Sequence, residues 1–273
     1  MKKGIMKIGI PRALMFFEYG KKWERFFKEL GFEVVVSPDT DNEIYDEGLK
    51  NTLTDYCLPI KVFIGHVLWL KDKCDIVFIP RIRSSEEWIY HCPNIIGVPD
   101  LVKNSIEGVK ILDVDFRDDL ESYQALAKKL GKGDIKKIYE KLKNLVEVNV
   151  DFFKNKTVAL VGRSYYLFDN KLNLDMKKKL KDYGYDVVTN INPKNVEKLT
   201  HWTNVNKLIA SIKKFNSDDK ISGIIYIKPF NCGPDFIVEE LVNVDKPMLV
   251  LRLDEHSSET GLITRLEAFT DIL

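Results

Sequence analysis

Three of the four cysteines in the chain, Cys57, Cys92 and Cys232, are followed within two residues by a proline. Proline is favoured in the first turn of a helix, so each of these cysteines is predicted to stand where a helix begins. Unsatisfied backbone N–H groups and the positive end of the helix dipole favour a thiolate at such a position, and the thiolate is the form that binds metals. The pattern predicts a triad of metal ligands.

The fourth cysteine, Cys74, precedes a predicted strand, whereas Cys92 and Cys232 each follow one. In parallel α/β sheets, ligands bind beyond the carboxyl ends of the strands. Cys92 and Cys232 are therefore expected at that edge, and Cys74 at the opposite edge as a packed core thiol.

The spacing of the triad leaves the metal open. Cys92 lies 35 residues after Cys57 (92 − 57), and Cys232 lies 140 residues after Cys92 (232 − 92), which matches no short-range pattern. Structural zinc prefers four ligands in close pairs. A catalytic zinc with three protein ligands, a thiolate-bound iron–sulfur cluster, and three unrelated buried cysteines all remain open on the residues alone.

Short β-branched runs alternate with longer amphipathic segments along the chain. The predicted strands are Met6–Ile10, Glu33–Ser37, Asp75–Pro80, Ile95–Val98, Lys110–Val114, Thr157–Gly162, Asp186–Thr189, Gly223–Ile227 and Pro247–Leu251. The predicted helices are Phe16–Leu30, Leu58–Lys71, Ser122–Leu130, Asp134–Phe153, Lys171–Tyr183, Val205–Phe215, Phe236–Val242 and Thr260–Thr270. This alternation predicts an α/β protein with parallel sheets covered on both faces by helices.

A domain boundary is predicted near residue 150, where a long charged helix gives way to a new first strand at Thr157–Gly162. The division gives an N-terminal α/β domain, 1–150, and a C-terminal α/β domain, 151–273. The first carries Cys57 and Cys92 and the second carries Cys232. A site built from all three is therefore expected in the interdomain cleft.

The composition limits the partners. The 273 residues carry a formal net charge of +1, so no overall field draws the chain to nucleic acid or to an anionic membrane. No apolar run approaches membrane-spanning length and no signal peptide is visible, so a cytoplasmic location is expected. No phosphate-binding loop or dinucleotide fingerprint is present either. An external source of energy or electrons is therefore expected.

Several motifs together resemble the acyl-CoA dehydratase activase-related proteins, which are similar to the catalytic subunits of 2-hydroxyacyl-CoA dehydratases and benzoyl-CoA reductases and to double-cubane cluster proteins. The likeness spans nearly the whole chain. The motifs are Ile8–Leu14, Cys57–Lys61 with Gly65-His66, Ile79–Arg81, Cys92-Pro93, Phe230–Asp235, Leu253–Ser257 and Gly261–Phe269.

The resemblance implies two flavodoxin-like domains that hold an oxygen-sensitive 4Fe-4S cluster in the interdomain cleft, with Cys57, Cys92 and Cys232 at the ligand positions. One iron is then left without a cysteine. The resemblance further implies a low-potential electron from an external ATP-dependent activator or another donor, passed to a small substrate such as a thioester. Whether two chains form a homodimer stays open.

Two functions from different classes remain. In one, the chain is a redox enzyme, either an activator-dependent reductase or an acyl-CoA dehydratase-like lyase. In the other, it is a noncatalytic iron–sulfur carrier or accessory protein of a dehydratase–activase system. The chain departs from the full enzymes in being short and in having no obvious partner subunit.

The acid–base groups Asp254, Glu255 and His256 follow the strand predicted over Pro247–Leu251 and are the candidate catalytic residues. The alternative is that Ser257 or Ser258 caps the last helix while the carboxylates bond to backbone.

Other polar residues flank the cysteines. Lys61, one helical turn after Cys57, either lowers the charge of a cluster without binding it directly or is simply solvated. His66 is interpreted as a satisfied structural histidine, and His91 as a residue that tunes the cluster or replaces a ligand. Arg81 and Arg265 are interpreted as anion or CoA-phosphate ligands, or as partners in interdomain ion pairs.

Overall fold

The computed structural model describes residues 5–86, 88–143, 145, 156–189, 192–193 and 196–273. The chain separates into two compact units, Met1–Val148 and Asn149–Leu273. The boundary predicted near residue 150 lies outside the described residues. Each unit contains a four-stranded, all-parallel sheet with helices, which confirms the predicted α/β class and is consistent with two flavodoxin-like domains.

The N-terminal unit alternates strands with helices in the order expected for right-handed crossovers. Its elements are β1 (Lys7–Ile10), α1 (Phe16–Glu29), β2 (Glu33–Val36), α2 (Asn42–Lys50), α3 (Leu58–Leu70), β3 (Ile76–Phe78), β4 (Ser84–Glu86), β5 (Ile89–Tyr90), α4 (Pro93–Ile96), α5 (Val98–Ser105), β6 (Ile111–Leu112), α6 (Leu120–Lys129) and α7 (Lys136–Lys143). The parallel sheet has the strand order β2-β1-β3-β6, and β4 pairs with β5 as a separate antiparallel hairpin.

Aromatic side chains build much of this unit's core. Trp23, Phe26 and Phe27 lie at helical spacing on the buried face of α1. Phe78 on β3 contacts the rings of Trp23 and Phe27 edge to face, with centroid distances of 5.2 Å and 5.1 Å. Phe116 packs against Trp23 in the same geometry. Edge-to-face contacts of this kind add stability beyond the burial of apolar area.

Helices α2 and α3 cross with their backbones in direct contact, and two glycines make this possible. A Cβ at Gly65 would collide with the carbonyl group of Ile44 on α2, and a Cβ at Gly48 would collide with the carbonyl oxygen of Lys61 on α3. Asp41 starts α2 by accepting a hydrogen bond from the backbone N–H of Ile44 at 2.8 Å. This helix was not predicted from the sequence.

The C-terminal unit repeats the arrangement. Its elements are β7 (Thr157–Gly162), α8 (Ser164–Phe168), α9 (Met176–Asp182), β8 (Asp186–Thr189), α10 (Thr203–Asn216), β9 (Ile221–Pro229), α11 (Gly233–Leu241), β10 (Met248–Leu253) and α12 (Glu259–Thr270). The sheet order β10-β9-β7-β8 places the unit's first strand between its second and third, as in the N-terminal unit. Buried residues of α10, β7 and β9 form the core.

Three predicted elements differ from the structure. The strand predicted over Ile95–Val98 is wrong, because prolines in the first turns of α4 and α5 start two helices there instead. The helix predicted over Lys171–Tyr183 begins only at Met176, since the Asp169 carboxylate accepts the backbone N–H groups of two following residues and holds a turn. The helix predicted over Asp134–Phe153 is described as α7 over Lys136–Lys143, and its predicted end lies outside the described residues.

Candidate functional site

All three cysteines of the triad are N-cap residues, as the proline pattern predicts. Cys57 precedes α3, Cys92 precedes α4 and Cys232 precedes α11. The backbone angles of Cys57 and Cys92 nearly coincide, at φ −66°, ψ 149° and φ −66°, ψ 153°. None of the three thiols makes a side-chain capping bond to its helix, and none of the four cysteines is in a disulfide.

The chain path places these helix starts toward the carboxyl ends of the strands. Residues 71–75 connect the C-terminal end of α3 to the first residue of β3, so that end of the helix lies at the amino ends of the strands. Cys57, at the N-terminal end of α3, therefore lies toward the carboxyl ends. Cys232 follows the end of β9 directly, and Cys92 follows β3 through the β4–β5 hairpin. The placement predicted for Cys92 and Cys232 is confirmed, and it is the edge at which ligands bind in such sheets.

Cys74 has the predicted position before a strand, but it is half-buried, as the other three cysteines are, and not fully packed in the core. It lies in the turn before β3, and its Sγ contacts the backbone carbonyl oxygen of Leu70 at 3.3 Å. Burial raises the pKa of the Cys74 thiol above its ordinary value, so the neutral thiol is favoured. Such a residue is a poor metal ligand.

The triad is divided between the two units. Cys57 and Cys92 belong to the N-terminal unit and Cys232 to the C-terminal unit. Within the described residues, no group of three or more His, Cys, Asp or Glu side chains is arranged so that it could hold a metal ion. The metal centre stays a prediction, for which the chemistry of the donor set, three thiols at helix starts, is suitable.

Cys232 lies beside a buried ion pair. Arg163, which follows the last residue of β7, is 5% exposed, and Asp235 in the first turn of α11 is fully buried. The Arg163 Nε donates to both carboxylate oxygens of Asp235 at 3.2 and 3.1 Å, and Nη2 also donates to this carboxylate. Nη2 lies 3.5 Å from the Cys232 Sγ, within reach of an N–H···S bond. A guanidinium at this distance favours the thiolate form of the sulfur.

Burial and the carboxylate act in opposite directions on Arg163. Burial, the largest single effect, would lower the pKa of the Arg163 guanidinium, but the charge of Asp235, its hydrogen bond, and the nearby Tyr165 and Cys232 together raise this pKa well above the ordinary value. Arg163 is therefore a permanent cation beside the sulfur.

A second group of charges surrounds Glu239, which lies on the same helix as Asp235. Lys228 on β9 is fully buried, pairs with Glu239 of α11, and places its Nζ 3.4 Å from the ring centroid of Phe236. Arg252 of β10 binds the other carboxylate oxygen of Glu239. Together with Arg163 and Asp235, three cations thus contact two carboxylates of α11, and the helix carries a third carboxylate, the exposed Glu240. The formal charges of these six groups cancel.

Lys61 and His66 of α3 are both buried. Lys61 is 3% exposed, so its interpretation as a solvated side chain is wrong, and a role near the cluster stays a prediction. The His66 Nδ1 lies 2.9 Å from the Ser37 Oγ and Nε2 lies 3.0 Å from the Thr40 Oγ1, which confirms a satisfied structural histidine. Burial lowers the pKa of His66 to about 4, so the ring is neutral.

Arg81 forms ion pairs inside the N-terminal unit. Its guanidinium holds the Asp100 carboxylate with two parallel bonds at 2.7 and 2.8 Å and lies 3.7 Å from Asp113. These carboxylates occupy Arg81, which disfavours its interpretation as an anion ligand. Arg265 is exposed on α12, and His91 is buried, 3% exposed, directly before Cys92.

The segment that contains Asp254, Glu255 and His256 directly follows the last residue of β10, so it lies at the carboxyl end of that strand, as predicted. The Asp254 carboxylate accepts the backbone N–H of His256 at 2.9 Å and the Ser257 hydroxyl at 3.1 Å. Ser258 caps α12 by accepting the backbone N–H of Gly261. The capping alternative is thus confirmed for Ser258 and Asp254, while the catalytic role of the three residues stays a prediction.

Three charged residues of the C-terminal unit were missed by the sequence analysis: Arg163, which contacts Cys232, and the ion-paired Lys228 and Glu239. A signal was present in the sequence, because the first residue after β7 and the last residues of β9 lie at the sheet edge that Cys232 follows. Asp235 and Glu239 are also spaced four residues apart, so they lie on one face of α11.

A cavity of about 660 Å³ lies in the N-terminal unit. One wall is the segment that leads into Cys57 and includes Asn51 and Tyr56, and the other is helix α5 with Asp100 and Asn104. The lining is a mixture of polar and apolar groups. Tyr56 directly precedes Cys57, but neither Cys57 nor Cys92 is itself a lining residue.

The fold and the cysteine positions define an α/β protein of two flavodoxin-like units, in which three cysteines stand at helix starts. The model for the CoA enzyme activase uncharacterised domain (DUF2229) matches residues 7–191. This is more than half of the chain, which therefore belongs to that family, an activase-related one as the sequence motifs predict. The matched part contains Cys57 and Cys92 but not Cys232.

Other comparisons add little. The comparison with curated proteins gives no match. Among solved structures, the AdcAII protein of Streptococcus pneumoniae is 13% identical with a TM-score of 0.27, and the match covers 99% of this chain and 98% of that protein. A Mn-bound periplasmic metal binding protein from Candidatus Liberibacter asiaticus is 12% identical with a TM-score of 0.25, and the match covers 98% of this chain and 100% of that protein. Scores this low carry no argument. In the described part of the chain, no helix has the length and apolar character to cross a membrane.

Proposed function

We propose that this chain is an iron–sulfur protein related to the 2-hydroxyacyl-CoA dehydratases, with Cys57, Cys92 and Cys232 as the ligands of a 4Fe-4S cluster. The observation that carries the proposal is the contrast among the four cysteines. Three begin helices toward the carboxyl ends of parallel strands, and the fourth lies in the turn before a strand. When bound, such a cluster supplies low-potential electron transfer and one iron without a cysteine, where a small substrate can bind.

The residues around the ligands have distinct roles in this proposal. Lys61, one helical turn after Cys57, and Arg163, beside Cys232, supply buried positive charge to balance the thiolates. The cavity lined by Tyr56, the residue before Cys57, admits the small substrate. The family's description as a CoA enzyme activase domain supports a dehydratase–activase system as the setting. The electron donor is then an external ATP-dependent activator or another low-potential protein, and the compartment is a reducing, anaerobic cytoplasm.

Anaerobic reconstitution tests the proposal. The unaltered protein should bind about four irons with matching sulfide per chain, as one cubane requires. Each of Cys57→Ala, Cys92→Ala and Cys232→Ala should lose the brown absorbance. Cys74→Ala is the matched control and should retain it. If all three triad variants keep full iron content, or if the unaltered protein binds none, the assignment is wrong.

The enzyme and the carrier functions differ in their need for acid–base groups. In the enzyme, Asp254, Glu255 and His256 donate or accept protons at the substrate. The turn that engages the Asp254 carboxylate favours the carrier. A triple variant, Asp254→Asn with Glu255→Gln and His256→Gln, should leave iron content unchanged in either case. Loss of substrate reduction by the loaded, activator-supplied protein supports the enzyme. Unchanged electron transfer to an artificial acceptor, with no substrate turnover in any variant, supports the carrier.

Oligomeric state is a separate question. A homodimer would bring two proposed clusters into one assembly. Sedimentation of the anaerobic, iron-loaded protein distinguishes a dimer from a monomer directly, and iron-free protein provides the control.

A further inference from the structure

Arg163 makes two kinds of contact with one buried guanidinium. Its Nε and Nη2 hold the Asp235 carboxylate, and Nη2 also points one N–H toward the Cys232 sulfur at 3.5 Å. The three residues come from two neighbouring strand ends and one helix start, because β7 pairs with β9 and Gly162 lies opposite Ile227. The arrangement is therefore fixed by the sheet register.

Burying the charges of Arg163 and Asp235 is costly unless the hydrogen bonds between them are well formed. This requirement restricts the orientation of the Arg163 guanidinium. The Arg163 side chain is 3% exposed and that of Asp235 is fully buried. Asp235 holds the planar fork at two nitrogens, so the direction of the remaining N–H bonds is set. A lysine, with a single flexible ammonium, cannot hold both acceptors in one plane.

We propose that Arg163 is a positioning residue for Cys232: it fixes the orientation of the sulfur and stabilises its electron-rich state through an N–H···S bond. The inference rests on the proposed function, since Cys232 is there a cluster ligand. Hydrogen bonds to ligand sulfurs raise the reduction potential of a cluster, because they stabilise the added electron. Arg163 thus makes the cluster easier to reduce and slows the loss of iron.

Two variants separate this role from general folding. Arg163→Lys keeps the positive charge but loses the fork. Arg163→Met combined with Asp235→Leu removes the whole buried pair and replaces it with apolar side chains of similar size, which buried ion pairs commonly tolerate. The pair is formally neutral, so the double variant leaves the local net charge unchanged. It removes the N–H···S bond without changing the net charge.

Arg252→Lys is the matched control. Arg252 also binds a carboxylate of α11, namely Glu239, and has no hydrogen bond to Cys232 among those found in the described residues. Its replacement should leave the potential and the rate of iron loss unchanged.

The experiment measures the midpoint potential of the anaerobic, iron-loaded protein by redox titration, and the rate of iron transfer to an added chelator. The double variant should have a more negative potential and lose iron about tenfold faster, the effect of one hydrogen bond to a charged group. The midpoint potential and the rate of iron loss of Arg163→Lys should lie between those of the double variant and those of the unaltered protein. Unchanged potentials and rates in both variants, with the cluster still bound, overturn the inference and leave the proposed function intact. Absence of iron from the unaltered protein overturns both.

Discussion

Replacing Gly65 with alanine is predicted to destabilise the N-terminal unit, although alanine is the better helix former. Gly65 lies in the middle of α3, which begins after Cys57, and its backbone contacts α2. An added Cβ would stand 2.9 Å from the carbonyl carbon of Ile44 and nearer still to its oxygen. Both opposing atoms are backbone, so no side chain can rotate away to make room.

The magnitude follows from this geometry. Ordinary contact begins at 3.4 Å, so α2 and α3 must separate by about 0.5 Å or more (3.4 − 2.9) to accept the methyl group. Overpacking of this kind costs about 1–3 kcal/mol, and the Ile44 oxygen, which is closer than the carbon, places this substitution at the upper end. The helix propensity of alanine returns roughly 1 kcal/mol. We expect a net loss of about 2 kcal/mol, and a displaced Cys57 with weaker iron binding.

Urea unfolding monitored by tryptophan fluorescence measures the loss, since Trp23, Trp69 and Trp88 lie in this unit and only Trp202 lies in the other. Gly20→Ala in α1 is the control, because the atoms nearest its Cβ belong to the movable ring of Phe16. It should cost clearly less than Gly65→Ala. A Gly65→Ala protein as stable as the unaltered one would refute the close backbone crossing.

Two further predictions concern buried side chains. Burial lowers the pKa of His66 to about 4, so between about pH 6.5 and 4 the folded state binds fewer protons than the unfolded state. The free energy of unfolding should therefore fall by roughly 3 kcal/mol as the pH falls through that range. His66→Gln should remove most of this pH dependence and His201→Gln should not, as equilibrium unfolding at several pH values will show. Phe78→Ala should cost about 3–5 kcal/mol because it opens a cavity among packed rings. Leu53→Ala, at a 71% exposed position, should stay within about 0.5 kcal/mol in the same unfolding assay, and equal losses would contradict the placement of Phe78 in the core.

Most of the fold could be predicted from local patterns. The strands of both parallel sheets are short apolar runs, and the prolines that follow the triad cysteines indicate where their helices begin. Helix α2 was not predicted because its stability depends on contact with α3 rather than on a strong apolar face. The run Ile95–Val98 resembles a strand in composition, but Pro93 and Pro99 decide the local conformation.

The candidate site could be predicted only in part. Local sequence identifies which cysteines begin helices, because the proline lies within two residues. It does not identify Arg163, which is 69 residues from Cys232 and reaches it only through the pairing of β7 with β9. The burial of Lys61 and Lys228 could not be predicted from the sequence either, because a lysine is ordinarily solvated and only tertiary packing encloses it.

The contrast between Cys232 and Cys74 weighs against three unrelated buried cysteines. Cys74 lies where partial burial raises the pKa of its thiol, so the neutral form is favoured. Cys232 has a buried cation beside it instead: the Arg163 Nη2 lies 3.5 Å from its sulfur, and the guanidinium is held there by the buried Asp235. A cation at this distance favours the thiolate, and a thiolate, unlike a thiol, can bind iron. The surroundings of Cys232 are therefore those of a sulfur that is used as an anion.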